Sequence, residues 1–366
     1  MSTVIPILIF ILILSIVIFI HELGHFIAAR RAGIFVEELA LGMGPKLLVF
    51  RGKKKSLDGE VTLYTLRAFP IGGFCRMRGQ DDDVPEDPEA LNNKSIAKRA
   101  LVMAGGSLMN FALALVLFFI LIMWQGVLLP EREIFVHEIS ENLPGERAGL
   151  RAGDIITHIE GAEITQQAEV AEIIRGAEGQ VEMRVLRDDV PMTFNIVPEF
   201  HTDDDGGRYV IGFTHASRGL FRSASLLDGA SGSVRMLGQQ AGAPFMLLGR
   251  LISGGQLEEG EGVMGLIGIG GMIVGAYQTT IARSFTDMFM TMLALTAAIN
   301  AALGVMNLLP IPAMDGARLV FLGIEAIRKK PVPPEKEAMV HMIGLVSLLL
   351  LAVFIAYQDI ARLVSG

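Results

Sequence analysis

The sequence is poor in cysteine, in positive charge and in lysine over most of its length, and each shortage narrows the reading. Cys75 is the single cysteine among 366 residues, so no internal disulfide can form and the redox compartment stays open. Lys and Arg number 31 against 39 Asp and Glu, and the net charge of -8 argues against a nucleic-acid partner. No lysine occurs between residues 99 and 328; all lie in Lys46–Lys98 or Lys329–Lys336. The N-terminal apolar run has no basic start and no small-residue cleavage site behind it. It is therefore expected to be a retained span and not a removed signal peptide.

What the chain has in quantity is apolar sequence, 51% of residues, gathered into blocks. Such blocks point to a membrane protein and not to one large soluble core. Four stretches reach the roughly 20 residues that a bilayer crossing needs: Val4–Ala29, Leu101–Val127, Met288–Met314 and Ala338–Gln358. A fifth, Val263–Ala282, is uncharged but dense in glycine. The lysine map decides its status, because short basic loops stay in the cytoplasm. Four spans put both lysine segments on one side; five would put them on opposite sides. Four are therefore expected, with Val263–Ala282 as a re-entrant or interfacial element.

Between the first two spans, Glu60–Met77 alternates like strand, and the acidic run DDDVPEDPE reads as a solvated linker. Beyond the second span, IFVHEI, VEMRVLR and PMTFNIV alternate like strands and QQAEVAEIIRG suits a short helix. AGLRAGDIITHIEGAEI, with glycines punctuating short apolar runs, resembles a bacterial PDZ domain, a module that takes up extended peptide by strand addition. Ser231–Gly255 has loosely helical apolar spacing, suited either to the membrane interface or to packing on that module.

The chemistry concentrates in FIHELGH, inside the first span. On a helix His21 and His25 share a face and can converge on one zinc ion, with Glu22 beside them as a base for water. A structural polar cluster is the plainer alternative. Arg30 marks the cytoplasmic interface, which puts His21 roughly 13 Å deeper. Three ionisable groups at that depth are costly unless they serve a function. A catalytic zinc usually has three protein ligands and an open position, so a third is needed. His341 opens the fourth span and is possible. Asp315, in NLLPIPAMDG, is the better candidate: the third span runs in the same direction as the first, so both ends reach the same leaflet. Pro310 and Pro312 break the helix just before it, and broken backbone at membrane depth must be buried in protein or line a wet cavity.

HELGH in the first span, NLLPIPAMDG in the third and a PDZ-like insert between them resemble the site-two protease family of intramembrane zinc metalloproteases. Within it, the chain is most similar to the bacterial group that cleaves anti-sigma factors (regulator of sigma-E protease-like) in a single-PDZ form. AFPIGGFCRM resembles the family's membrane-associated β-element, which pairs with substrate. AGGSLMNFALA resembles its second-span Gly-Pro-x-x-Asn signature, and GVMGLIGIGG its glycine-rich element before the third span. The resemblance implies one zinc per chain held by His21, His25 and Asp315, with Glu22 as base. It implies substrate contacts from Asn307, Asn110, Gly72, Gly73, Phe74 and Pro310. Ser107 stands where the family usually has proline, and Met314 where it has leucine.

The implied architecture is a polytopic α-helical membrane protein of four transmembrane helices, with a membrane-associated β-element at about 60–78 and an inserted extracytoplasmic PDZ-like α+β domain. Its expected division is 1–127, 128–200, 201–285 and 286–366. The implied activity is cleavage of transmembrane segments of single-span proteins, such as anti-sigma factors or signal-peptide remnants, after a first extracytoplasmic cut. Expected partners are those substrates, the lipid bilayer, and a peptide or ectodomain at the PDZ-like domain; the expected place is the bacterial inner membrane. Three other readings compete: a scaffold with a structural metal, a metal transporter, and a membrane-anchored protease acting on soluble or prenylated chains. A structural zinc normally has four protein ligands, and a transporter usually has inverted repeats, which are not seen.

Overall fold

The computed structural model describes residues 4–80, 86–176, 179–203, 206–252 and 265–365. Two compact units emerge: Met1–Ile122 with Leu226–Gly366, and Met123–Ser225.

The first unit opens with α1 (Val4–Ala32), apolar on all sides up to Ile20, where the His21, Glu22 and His25 motif begins. Gly33, at φ +74°, stops it. Gly33 N–H bonds to Arg30 O and Ile34 N–H to Ala29 O, the paired bonds of a Schellman cap, with Arg30 and Arg31 placed favourably for the helix dipole. A long antiparallel hairpin follows, β1 (Val36–Lys55) and β2 (Val61–Met77). Both strands bend, so β1 residues pair twice: Leu39 faces Cys75 and Tyr64, and Leu41 faces Gly73 and Leu66. The resulting order across the sheet is 69–77, 36–43, 61–67, 46–55, which leaves 69–77 as an edge. Only the second of these strands was legible as alternation. In the acidic stretch, residues 81–85 lie outside the described residues, and Asp87 is no simple solvated charge, since it pairs with Arg78.

Next comes α2 (Ile96–Gln125), whose inner half packs on α1 and the hairpin base through Val102, Met103, Ala28, Ala29, Val36 and Leu39. In the second unit, β3 (Val127–Ile139), α3 (Pro144–Ala148), β4 (Ile155–Ile159), β5 (Ala162–Glu163), α4 (Gln167–Arg175), β6 (Val181–Arg187) and β7 (Val190–Ile196) follow in turn. The hairpin β8 (Glu199–Asp203) and β9 (Gly206–Val210) precedes β10 (Phe213–Arg222), and the main sheet runs β10-β3-β4-β6-β7, with β5 on β4. Its core gathers Val136, Ile156, Ile159, Val170, Met183 and Ile211. Asp154 of the AGLRAGD stretch is buried against a two-pronged Arg187 contact at 2.7 Å on each side. The unit extends to Ser225 and does not stop near residue 200. The reason is β10, which completes the sheet against β3 although FTHASRGLFR carries no clean alternation.

Back in the first unit stand α5 (Leu226–Ile252), α6 (Leu266–Ile281), α7 (Phe285–Leu308), α8 (Asp315–Arg328) and α9 (Pro334–Ser365). Met236 and Leu237 of α5 pack on Ala114 and Phe118 of α2 and Ala297 of α7; residues 253–255 of the Ser231–Gly255 stretch lie outside the described residues. Among the described residues, α1, α2, α7 and Pro334–Asp359 of α9 are long and apolar enough to cross a membrane. At 16 residues α6 spans roughly 24 Å, short of a ~30 Å hydrocarbon core, as the lysine map requires. Val263 and Met264 of that candidate lie outside the described residues. The third span is shorter than expected: α7 ends at Leu308, before the prolines, and α8 is a separate amphipathic helix.

Glu38 ties the folded hairpin together. Burial alone would raise its carboxyl, but the Thr65 hydroxyl and Arg67 guanidinium, both at 2.7 Å, with the charges of Arg67 and Lys46, hold it below its ordinary value. A folded value below the unfolded one stabilises above about pH 4–5 and loses that effect as acid protonates the folded group. Proteolysis of the hairpin in wild type should therefore quicken as pH drops below about 4. Glu38→Gln should weaken the hairpin by about 1–3 kcal/mol and flatten that pH response.

Candidate metal centre

The α1–α2 crossing builds the site from behind. A Cβ on Gly24 would sit 2.2 Å from Gly105 O, so the two backbones are in contact there. One residue on, a Cβ on Gly106 would lie 2.5 Å from both His21 Cε1 and His25 Nε2. The outer edges of both imidazoles thus press against the α2 backbone, with the two rings set nearly perpendicular, at 83°. His25 Nδ1 is 2.8 Å from Val102 O, and as the donor it leaves Nε2 free as a ligand. The Asn110 amide lies 3.3 Å from His21 Nδ1, fully buried, and its Oδ1 has no other partner among the described residues. Turned end for end, that amide sets Oδ1 against Nδ1–H and frees His21 Nε2 in the same way.

Asp315 arrives from the other side, at the start of α8, where a carboxylate suits the positive end of the helix. Its Oδ2 is 3.1 Å from His21 Nε2 and 3.1 Å from His25 Nε2, and the two nitrogens are 3.2 Å apart. Ligands about 2.0–2.1 Å from a tetrahedral zinc are separated by about 3.3–3.4 Å. The triangle is therefore one face of such a site to within a few tenths of an ångström, and its two-His, one-carboxylate donor set suits zinc.

The turn before Asp315 is tightly specified. Met314 N–H bonds to Ile311 O, Pro312 occupies the second position, and Ala313 takes φ +73°. This is a type II turn with alanine where glycine is favoured, at a cost of about 1 kcal/mol. A Cβ on Gly316 would meet Leu309 O at 2.1 Å, so the turn folds back on the end of α7.

A cavity of about 770 Å³ opens at the triangle, lined by Glu22, Phe74, Cys75, Asn307, Arg318 and His341 among others. Cys75, on the edge of β2, turns its N–H toward the Glu22 carboxylate. Arg78 N–H reaches Phe35 O three residues on, which fixes the register: alternate amides of the edge strand face away from β1. Gly73 comes close to Glu22, and Gly72 takes φ +94° in the same strand. Asn307 donates to Leu303 O in its own helix while lining the cavity. Pro310 is exposed and outside the cavity lining, and Asn110 stands behind His21. His341 is not in the ligand group; its Nδ1 accepts the Ala313 N–H instead. Ser107, at the family's proline position, is fully buried inside α2. Gly106, Val102 and Arg318 were not singled out in the sequence, since a close approach and a backbone carbonyl leave no motif.

The model of Peptidase family M50 matches residues 9–351. The chain belongs to this family. It is 30% identical to the zinc metalloprotease RasP of Bacillus licheniformis, with 99% of this chain and 100% of that one covered. It is 29% identical to the regulator of sigma-W protease RasP of Bacillus subtilis, covering 97% and 98%. Among solved structures it resembles the PDZ domain of an SdrC-like protein from Listeria monocytogenes, at 24% identity, 23% and 86% coverage and a TM-score of 0.21. Membership makes this M50 chain a zinc metalloprotease of the site-two type, a membrane protein whose reaction is peptide hydrolysis.

Gly106 gives the site a specific sensitivity. Gly106→Ala should push both imidazoles off the triangle and lower zinc affinity by about tenfold or more, read by chelator competition on the purified chain. Ala substitution at the open Gly271 should leave zinc affinity unchanged.

Proposed function

We propose that His21, His25 and Asp315 hold the zinc and that Glu22 is the general base of an intramembrane endopeptidase. The observation that carries this reading is the three-ligand triangle with Glu22 beside it, facing a cavity among helices long enough to span a bilayer. Among the described residues the group has three ligand atoms and no fourth, the pattern of a catalytic zinc and not of a closed structural one. A zinc ion there supplies Lewis-acid charge for water activation and for the carbonyl under attack.

The chain's own residues do the rest. Glu22 takes the proton of the attacking water and passes it to the leaving amine. Val102 and Asn110 keep each imidazole in its ligating tautomer. The outward amides of the 69–77 edge, around Gly72, Gly73 and Phe74, receive an unwound substrate segment as an added strand, which holds its carbonyls away from helical hydrogen bonds. Asn307 faces the same cavity and is the nearest side-chain amide for the substrate backbone. Pro310 acts by ending α7 and stands outside the cavity lining.

The substrates are transmembrane segments of single-span proteins, anti-sigma factors or signal-peptide remnants, trimmed first by another protease. The name of the Bacillus subtilis relative supports the first class. Lysines confined to 46–98 and 329–336 orient the zinc end of α1 to the cytoplasmic side of the bacterial membrane and the β3–β10 module outside, as a PDZ-like screen against bulky ectodomains. Glu22→Gln should cut cleavage of a membrane-reconstituted model substrate by about 10²–10⁴-fold while zinc stays bound. Undiminished cleavage by that variant would remove Glu22 from the mechanism.

A further inference from the structure

We propose that His341 is a positioning residue for the zinc site: from α9 it clasps the turn that aims Asp315. The inference rests on the assignment of Asp315 as a ligand. Three observations meet at this point. His341 Nδ1 accepts the Ala313 N–H at 3.0 Å, and Ala313 is the one residue of the turn with a left-handed backbone. A turn held at positive φ by alanine is a conformation its surroundings must enforce. Next door, a Cβ on Gly344 would lie 2.1 Å from Pro312 Cβ, so α9 lies directly against the turn's other central residue. The Phe321 ring of α8, 5.8 Å from the imidazole, braces the ring from the third side.

The geometry also fixes the state of the imidazole. With Nδ1 accepting, the proton sits on Nε2, which is buried and has no hydrogen-bond partner among the described residues; Glu337 Oε1 stands 3.8 Å away. A ring held this way does not ligate the metal. It acts two residues upstream of the ligand, on the peptide whose orientation decides where the Asp315 carboxylate points. Of the four candidate spans α9 is the least covered by the rest of the protein, so the seating of the most lipid-exposed helix is coupled to metal retention.

The test compares zinc affinity, by chelator competition on the full chain in detergent, with thermal stability of the zinc-stripped chain. His341→Ala should bind zinc about ten- to a hundredfold more weakly with the metal-free stability little changed. His341→Asn, whose Oδ1 falls near the position of Nδ1, should recover most of the affinity, and His341→Gln should not. Ala313→Gly, which adopts positive φ unaided, should restore part of the loss in the His341→Ala background. Zinc affinity within about twofold of wild type in His341→Ala overturns the proposal, as does equal weakness in the Asn and Gln variants. Asp315→Ala serves as the control. Wild-type affinity there overturns the ligand assignment itself, whereas loss there with retention in His341→Ala overturns only the clasp.

Discussion

Everything about the metal centre depends on two helix backbones touching inside the membrane. Where Gly24 meets Gly105, no side chain separates α1 from α2, and the α2 backbone becomes the rear wall of the site. That contact is what brings a carbonyl oxygen and a buried amide to the two imidazoles. In hydrocarbon such polar atoms have no water to turn to, so each must find its partner within the protein. The small residues between the motif's histidines and in AGGS are therefore part of the chemistry, because they set the distance at which ligand orientation works.

The same economy governs the hairpin. A free strand edge is a liability in most proteins, open to pairing with any passing chain. Here Phe74, Cys75 and Met77 of that edge line the wall of a cavity, with the Cys75 amide turned toward Glu22. In the proposed mechanism, a peptide that adds to this edge comes to lie alongside Glu22. Recognition and catalysis are then set by one register, and a helix that does not unwind has nothing to offer it.

The sequence made much of this legible. HELGH declared itself because helical spacing converts i and i+4 into a shared face, and Asp315 followed from span parity and the lysine distribution. Four spans and a short fifth element could be read from length and charge alone. The doubled-back β1 could not, since VEELALGMGPKLLVFRGKKK has no steady alternation, and bends at Gly42 and Gly44 reorganise its pairing. Nor could β10, whose strand character comes from the neighbour it joins. The helix α8 was hidden because the span before it ended earlier than its apolar run. The resemblance makes Asn110 a substrate contact; its place behind His21 is a fact of packing that no motif encodes.

The distance along the chain between the ligands has a consequence for how the protein is made. His21 and Asp315 are 294 positions apart, and the turn that carries the carboxylate is seated by a helix that follows it. A nascent chain that has delivered its first two spans to the bilayer possesses two imidazoles and a base but no complete metal site. With the proposed ligand set, the site can be completed only once the final helices have arrived.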